Sequence, residues 1–328
     1  MATSQAGEDD VPAGPRAAAW KRVQQALDEG KPKTAAAALA GVEAAAIADK
    51  AWAEAARGIA TRVLAATGDR PPDDPERLIQ LAAATEKAPA ETRGVLEAIR
   101  ANWTWGFFLN NRWRFQQRTQ GAAAGADLAA IAGWDLPMIV GEIRGRFAAA
   151  LAGKDALQKL PVGDWTALLS PGTMADAYRP TVWDVVVRDA LAFAESGERG
   201  LVDPEDAFEL AAEGPALGSL DEFLAWRPAE DAAVTDRDAP LLHAAALYRE
   251  LLEFHKTDAD RAALLAADLD RILWAASHAV GEDLNDRKRA ALAAFIARAG
   301  DHEMATLARF HLADLSREEG DMVEAREI

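Results

Sequence analysis

Apolar residues recur at helical spacing along most of this chain, and the alternation of a strand is nowhere sustained. Trp20, Val23 and Leu27 share one face of a helix predicted over residues 16–29. Gly30 follows as its C-cap, and Pro32 stands where a second helix begins. That second helix, predicted over 32–49, is almost pure alanine on its inner face, which lets a neighbouring helix approach closely. A third, over 50–66, carries Trp52, Ile59, Val63 and Leu64. The Asp69–Pro75 segment breaks the pattern, and Asp74-Pro75 reads as the N-cap and first residue of a helix with Leu78, Ile79 and Leu81 inward. A long helix is predicted from Ala90 to Arg118.

Residues 119–133 read as a Gly/Ala-rich loop, after which Asp135 caps a helix running through about Leu151, with Pro137 in its first turn. Between 160 and 218 the periodicity weakens and five prolines divide the chain, so a seam is expected there. Thr181 with Asp184, and Ser219 with Glu222, carry the spacing of a capping box. Regular helices return near Pro240–His255, Asp258–Val280, Leu284–Ala299 and Glu303–Glu319. Gly30 with Ala35, and Gly320 with Ala325, repeat one spacing, that of tetratricopeptide-type helix pairs. The second pair stops at Ile328 inside a partner helix, which reads as a truncated repeat. The expected fold is all-α: a right-handed superhelix of antiparallel helix pairs, a tetratricopeptide-like α-α solenoid with an irregular middle segment. The expected division is a disordered acidic tail (1–15), an N-terminal helical subdomain (16–159), an irregular connecting segment (160–218) and a C-terminal helical subdomain (219–328).

Composition agrees with this pattern and narrows the function. About a quarter of the 328 residues are alanine, the strongest helix former. With 36 Lys and Arg against 53 Asp and Glu, the net charge is −17, which disfavours nucleic acid and anionic membranes as partners. No stretch reaches the ~18–20 apolar residues of a membrane span, so no membrane insertion is expected. Cysteine is absent, which removes disulfides, thiol nucleophiles and Cys-ligated metals. The first residues lack the basic and apolar regions of a secretory signal.

Candidate chemistry is sparse. Trp103, Trp105, Phe107, Phe108, Trp113 and Phe115 interleave with Arg112, Arg114 and Arg118. That cluster suits a stacking platform for bases or sugars. The reading preferred for it is a helix core with arginine stems over the rings, so Trp103 and Trp113 are expected to be packing residues, largely inaccessible. His302-Glu303 opens like a zinc helix motif, but Thr306 stands where the second histidine belongs. Gly153-Lys154 resembles the end of a phosphate loop without its first glycine or its hydroxyl. Asp135, Asp184, Asp268 and Asp270 are the carboxylates a glycosidase would pair. Asp135 and Asp184 read as caps, and Asp268 and Asp270, two apart on a helix, face different ways. No catalytic residue, metal or cofactor is expected.

Several segments, taken in order, resemble the N-terminal helical region of bacterial alpha-2-macroglobulin family proteins. They are Trp20-x-x-Val23 with Gly30-Lys31-Pro32; Trp103-Thr104-Trp105 with Asn110-Asn111-Arg112-Trp113; and Trp134-Asp135-Leu136. Tyr178-Arg179-Pro180-Thr181-Val182-Trp183-Asp184, Leu251–His255 and Asp268–Ile272 follow. The resemblance implies a non-catalytic scaffold or interaction region of a protease-trapping protein, with protein partners and an extracytoplasmic or periplasmic setting. Family members that trap covalently use a Cys–Gln thioester, which a cysteine-free chain cannot form. Two other readings stand beside it: a free-standing tetratricopeptide-like adaptor, and an all-helical carbohydrate-active enzyme. Arg179, Pro180, Thr181 and Asp184 are expected to form a structural clasp between the helical halves.

Overall fold

Alanine content and 3.6-residue periodicity are realised as helix along nearly the whole chain. The computed structural model describes residues 11–12, 14–117, 127–170, 172–199 and 205–328. Its helices are α1 (Ala17–Asp28), α2 (Pro32–Ala48), α3 (Trp52–Thr67), α4 (Glu76–Lys87), α5 (Ala90–Asn110), α6 (Arg112–Gln116), α7 (Leu136–Leu151) and α8 (Lys154–Leu157). They continue as α9 (Val182–Glu195), α10 (Leu220–Ala225), α11 (Pro240–His255), α12 (Ala262–His278), α13 (Leu284–Ala299), α14 (Glu303–Glu318) and α15 (Met322–Glu327). Two-residue strands β1 (Leu210–Ala211) and β2 (Ala279–Val280) pair in parallel.

The chain divides into two compact units. The first comprises residues 1–176 and 180–189, the second residues 177–179 and 190–328. All three crossings fall inside the segment where proline had weakened the periodicity, and the last lies within α9. That segment does not form a body of its own, because its parts join one unit or the other. The predicted tail lies outside the described residues up to position 10. Val11 packs on the first core cluster and Pro12 is buried, so the packed chain begins earlier than expected.

In the first unit, Trp20, Val23 and Ala26 of α1 meet Ala35, Leu39 and Val42 of α2 and Ala65 of α3. The turns between these helices have one construction. After α1, Gly30 takes φ 65°, its N–H donates to Leu27 O, and the Lys31 N–H reaches back to Ala26 O at 2.8 Å. This is the six-to-one closure of a Schellman turn. Gly320 repeats it after α14, with Asp321 N donating to Ser316 O at 2.9 Å. A third copy follows α2, where the left-handed residue is Lys50 (φ 56°) and Ala51 N donates to Ala46 O at 2.8 Å. Sequence reading missed it because lysine stands where glycine marks the other two. Ala35, Ala55 and Ala325 each lie five residues beyond the left-handed residue. The α2–α3 approach is close: a Cβ on Gly58 would sit 2.8 Å from Glu43 Cγ.

Three predicted boundaries move. The long helix stops at Asn110, and α6 restarts at Arg112. Asn111 (φ −122°) turns its side-chain amide onto Phe107 O at 2.9 Å and Pro72 O at 3.3 Å, drawing the chain out of helical phase. Of the loop predicted over 119–133, residues 119–126 lie outside the described residues, while Leu128–Gly133 is a 3-10 helix capped by Asp127. Helix α12 starts at Ala262, whose N–H is held by the Asp260 side chain, and ends at His278 because the next two residues pair with β1.

A left-handed non-glycine residue costs about 1–2 kcal/mol in local sterics. Lys50→Gly is therefore expected to raise unfolding stability by about 0.5–1 kcal/mol once glycine's entropy cost is subtracted. Urea unfolding of the variant measures this, and a loss of stability would contradict the shared-turn interpretation.

Candidate functional site

The aromatic segment splits at Asn111. Phe107, Phe108 and Phe115 go inward, with ring centroids 6.3 Å (Phe107–Phe115) and 5.9 Å (Phe108–Phe115) apart, and the Arg112 guanidinium lies 5.8 Å from the Phe108 centroid. Trp103 and Trp105, on the continuous part of α5, are half-buried. Trp113 is 62% exposed, against the expectation that it packs inside. The phase shift at Asn111 explains this, because restarting the helix turns Phe115 inward and Trp113 out. Leu109, on the other side of the break, is also exposed. Arg114 pairs with Asp73 at 3.0 Å, and Arg118 lies outside the described residues. A stacking platform needs several rings aligned on one accessible face. This segment instead divides its rings between core and surface.

Around Thr181 the geometry is that of a reciprocal cap. The Thr181 N–H and hydroxyl donate to Asp184 Oδ2 at 2.9 and 2.7 Å, and the Asp184 N–H points back at the Thr181 hydroxyl, 3.4 Å away. Asp184 is buried and sits in the first turn of α9, where the helix dipole favours a negative charge. Pro180 O and Leu160 O accept from Val162 N and Val182 N, so this entry to α9 is tied to the start of the 160s segment. Two residues earlier, within the second unit, the Tyr178 hydroxyl donates to Glu303. Burial, then that carboxylate, pushes the Tyr178 phenol up to about 12. It therefore stays protonated and serves as a donor.

Other candidate carboxylates are also engaged. Asp135 accepts from Met138 N at 3.1 Å and caps α7. Asp268 is fully buried: one oxygen takes Arg271 Nε at 2.8 Å and the other takes Arg298. Arg271, 1% exposed, spends Nη1 on the carbonyls of Ala216 (2.6 Å) and Gly218 (3.2 Å), and its guanidinium lies 4.9 Å from the Phe223 centroid. Burial pulls this guanidinium below its ordinary value, and Asp268 opposes the shift. Asp270 is half-buried. Sequence reading weighed Asp268 only as half of a carboxylate pair; the i, i+3 spacing to Arg271 was the available signal of its ion pair. His255, also buried, directs Nδ1 at Asp258 at 2.6 Å, and His302 Nδ1 accepts from Met304 N to cap α14. Lys154, of the phosphate-loop lookalike, lies 5.3 Å from the Trp183 ring centroid. Among the described residues, no group of three His, Cys, Asp or Glu side chains could hold a metal ion. No helix among them is long and apolar enough to cross a membrane.

No family model, curated protein or solved structure matches the chain.

Two comparisons follow from this geometry. Thr181→Ala is expected to cost ~1 kcal/mol, and Asp184→Asn about 1–3 kcal/mol, because Asp184 serves two donors. The double variant should lose less than the sum, by at least ~0.5 kcal/mol, in a denaturant double-mutant cycle. Arg271→Met is expected to cost about 3–5 kcal/mol by stranding a buried charge and two carbonyls. Trp113→Ala should stay within about 0.5 kcal/mol of the parent. Thermal unfolding of the two variants side by side separates the buried cation from the exposed ring.

Proposed function

We propose that the chain is a non-catalytic helical scaffold, an interaction region of an alpha-2-macroglobulin-like protease-trapping protein. On this reading its helices form antiparallel pairs in a tetratricopeptide-like superhelix. One observation carries the proposal: several of the residues that resemble the family are spent on holding helices together. Trp20 donates from Nε1 to Glu54 at 2.7 Å, and Glu54 also takes Arg16 Nε at 2.8 Å. Asp135 and Asp184 are caps, and Asp268 and Arg271 are a buried pair. These side chains therefore suit a structural role better than a chemical one, which also counts against the glycosidase reading. Helices adjacent in sequence pack on one another from α1 to α5 and from α11 to α15, as a pairwise array requires.

On this reading Thr181 and Asp184 hold the entry to α9, protein surfaces are the partners, and the setting is extracytoplasmic or periplasmic. The exposed Trp113 and Leu109 favour contact with a partner protein, since exposed tryptophan beside arginine is the composition of interface hot spots.

An antibody raised against this chain tests the assignment in native cells. The expected species is much larger than 35.0 kDa and changes its mobility when an added protease is trapped. A free 35.0 kDa species unaffected by protease would remove the family assignment and leave the adaptor reading. Hydrolysis of a polysaccharide by the purified chain would overturn both.

A further inference from the structure

Histidines of the second unit differ in what their rings meet. His255 turns Nδ1 to Asp258, His278 turns Nδ1 to the Trp274 carbonyl, and His302 caps α14. His311 of α14 is half-buried, and neither of its ring nitrogens has a hydrogen-bond partner among the described residues. What faces this ring is charge. Helices α12, α13 and α15 all pack on α14. Lys288 faces the ring from α13, Asp270 from α12, and Asp314 from the next turn of α14 itself. Lys288 and Asp270 are half-buried like the histidine. Asp314 also pairs with Arg317 at 2.5 Å, which divides its attraction. On α15, Glu324 is taken by Arg289 and Ser316, while Arg326 and Glu327 are exposed.

We infer that the junction of α12, α13 and α14 is an acid-sensitive latch. A proton on His311 sets a second positive charge facing Lys288, in a half-buried site with no acceptor for the new N–H, and α14 loosens from α13. Histidine is the side chain whose charge changes just below neutral pH. The two carboxylates oppose the effect, so its sign depends on which influence is larger. Burial first, then Lys288, holds the His311 imidazole below its ordinary value of 6.5, against the pull of Asp314 and Asp270.

The unfolded or loosened chain therefore takes up this proton more readily than the packed one. The latch is fully closed above pH 6.5, and its contribution is lost as the pH falls from 6.5 through the lower value of the packed state. Loosening α14 opens its inner face, Met304, Ala305, Ala308 and Leu315, to solvent. Acid thus acts on the packing of one helix through one side chain. The inference is independent of the scaffold proposal.

Proton NMR of the five histidine rings in the full chain tests the titration, and hydrogen exchange of the α14 amides tests the loosening. His311→Gln identifies the resonance. The His311 midpoint is expected below 6.5, raised by Lys288→Gln and lowered further by Asp270→Asn. Protection of the α14 amides, corrected for the intrinsic pH dependence of exchange, is expected to fall between about pH 7.5 and about pH 5.5. That fall should vanish in His311→Gln and shrink in Lys288→Gln, with the wild-type circular dichroism spectrum retained at neutral pH. The Lys288→Gln arm reads the latch without touching the histidine. A His311 midpoint at or above 6.5 overturns the inference. So does a midpoint indifferent to Lys288→Gln, unchanged protection on acidification, or a loss of protection as large in His311→Gln as in the wild type.

Discussion

The second unit depends on a buried cation. Arg271 brings five N–H donors and a full charge into a nearly solvent-free interior, where an unpaired charge would cost several kcal/mol. That cost is offset only when each partner is in place. Asp268 must share the helix at i+3 spacing, and the Pro215–Gly218 turn must offer its carbonyls. Phe223 of the capped helix α10 must bring its ring against the guanidinium, and Arg298 must complete the charge balance on Asp268. A chain segment with little regular structure is thereby fixed to α12. The pair also specifies register, because sliding α12 by one residue would remove the carbonyls of Ala216 and Gly218, the Phe223 ring and Arg298 together.

The first unit is built on a different economy, that of small side chains and repeated turns. Ala35, Ala46, Ala55 and Ala56 are fully buried, and Gly58 makes room for Glu43, so α2 and α3 approach closely. Dispersion between closely packed backbones replaces the interlocking of large residues. One polar anchor lies at Glu54, which accepts from Trp20 and Arg16, and the Arg57 guanidinium stands 5.1 Å from the Trp20 ring. Burial works against the charge on Arg16, but the bond to Glu54 outweighs it and raises the guanidinium above its usual value.

These uses of charge bear directly on function. Asp135 and Asp184 accept from backbone donors at helix starts, and Asp268 accepts from two guanidinium groups. Exposed large apolar side chains include Trp113 and Leu109 in one unit and Leu307 and Phe310 of α14 in the other. Exposed apolar side chains mark surfaces suited to contacts, which is why an interaction role is proposed.

Local signals were strong enough for the sequence alone to determine much of this protein. The 3.6-residue periodicity and alanine content determined an overwhelmingly helical chain, and the helices over 240–255 and 284–299 were legible to the residue. The caps at Asp135, Thr181 and Ser219 were legible too, because a cap is written within four consecutive positions. Tertiary structure decided everything that depends on residues far apart in sequence. The end of α5 at Asn111 required the Pro72 carbonyl, 39 positions away, and that break exposed Trp113. Residues 279 and 280 left their helix for a strand 69 positions earlier. Asp268 gained Arg298 from α13, and Arg271 gained the carbonyls of the turn at 216–218, both from distant parts of the chain. Lys50 could occupy a left-handed turn because the packing of α2 on α3 outweighs its local cost. Local rules describe what a residue prefers, whereas burial and long-range partners determine which preference is overruled.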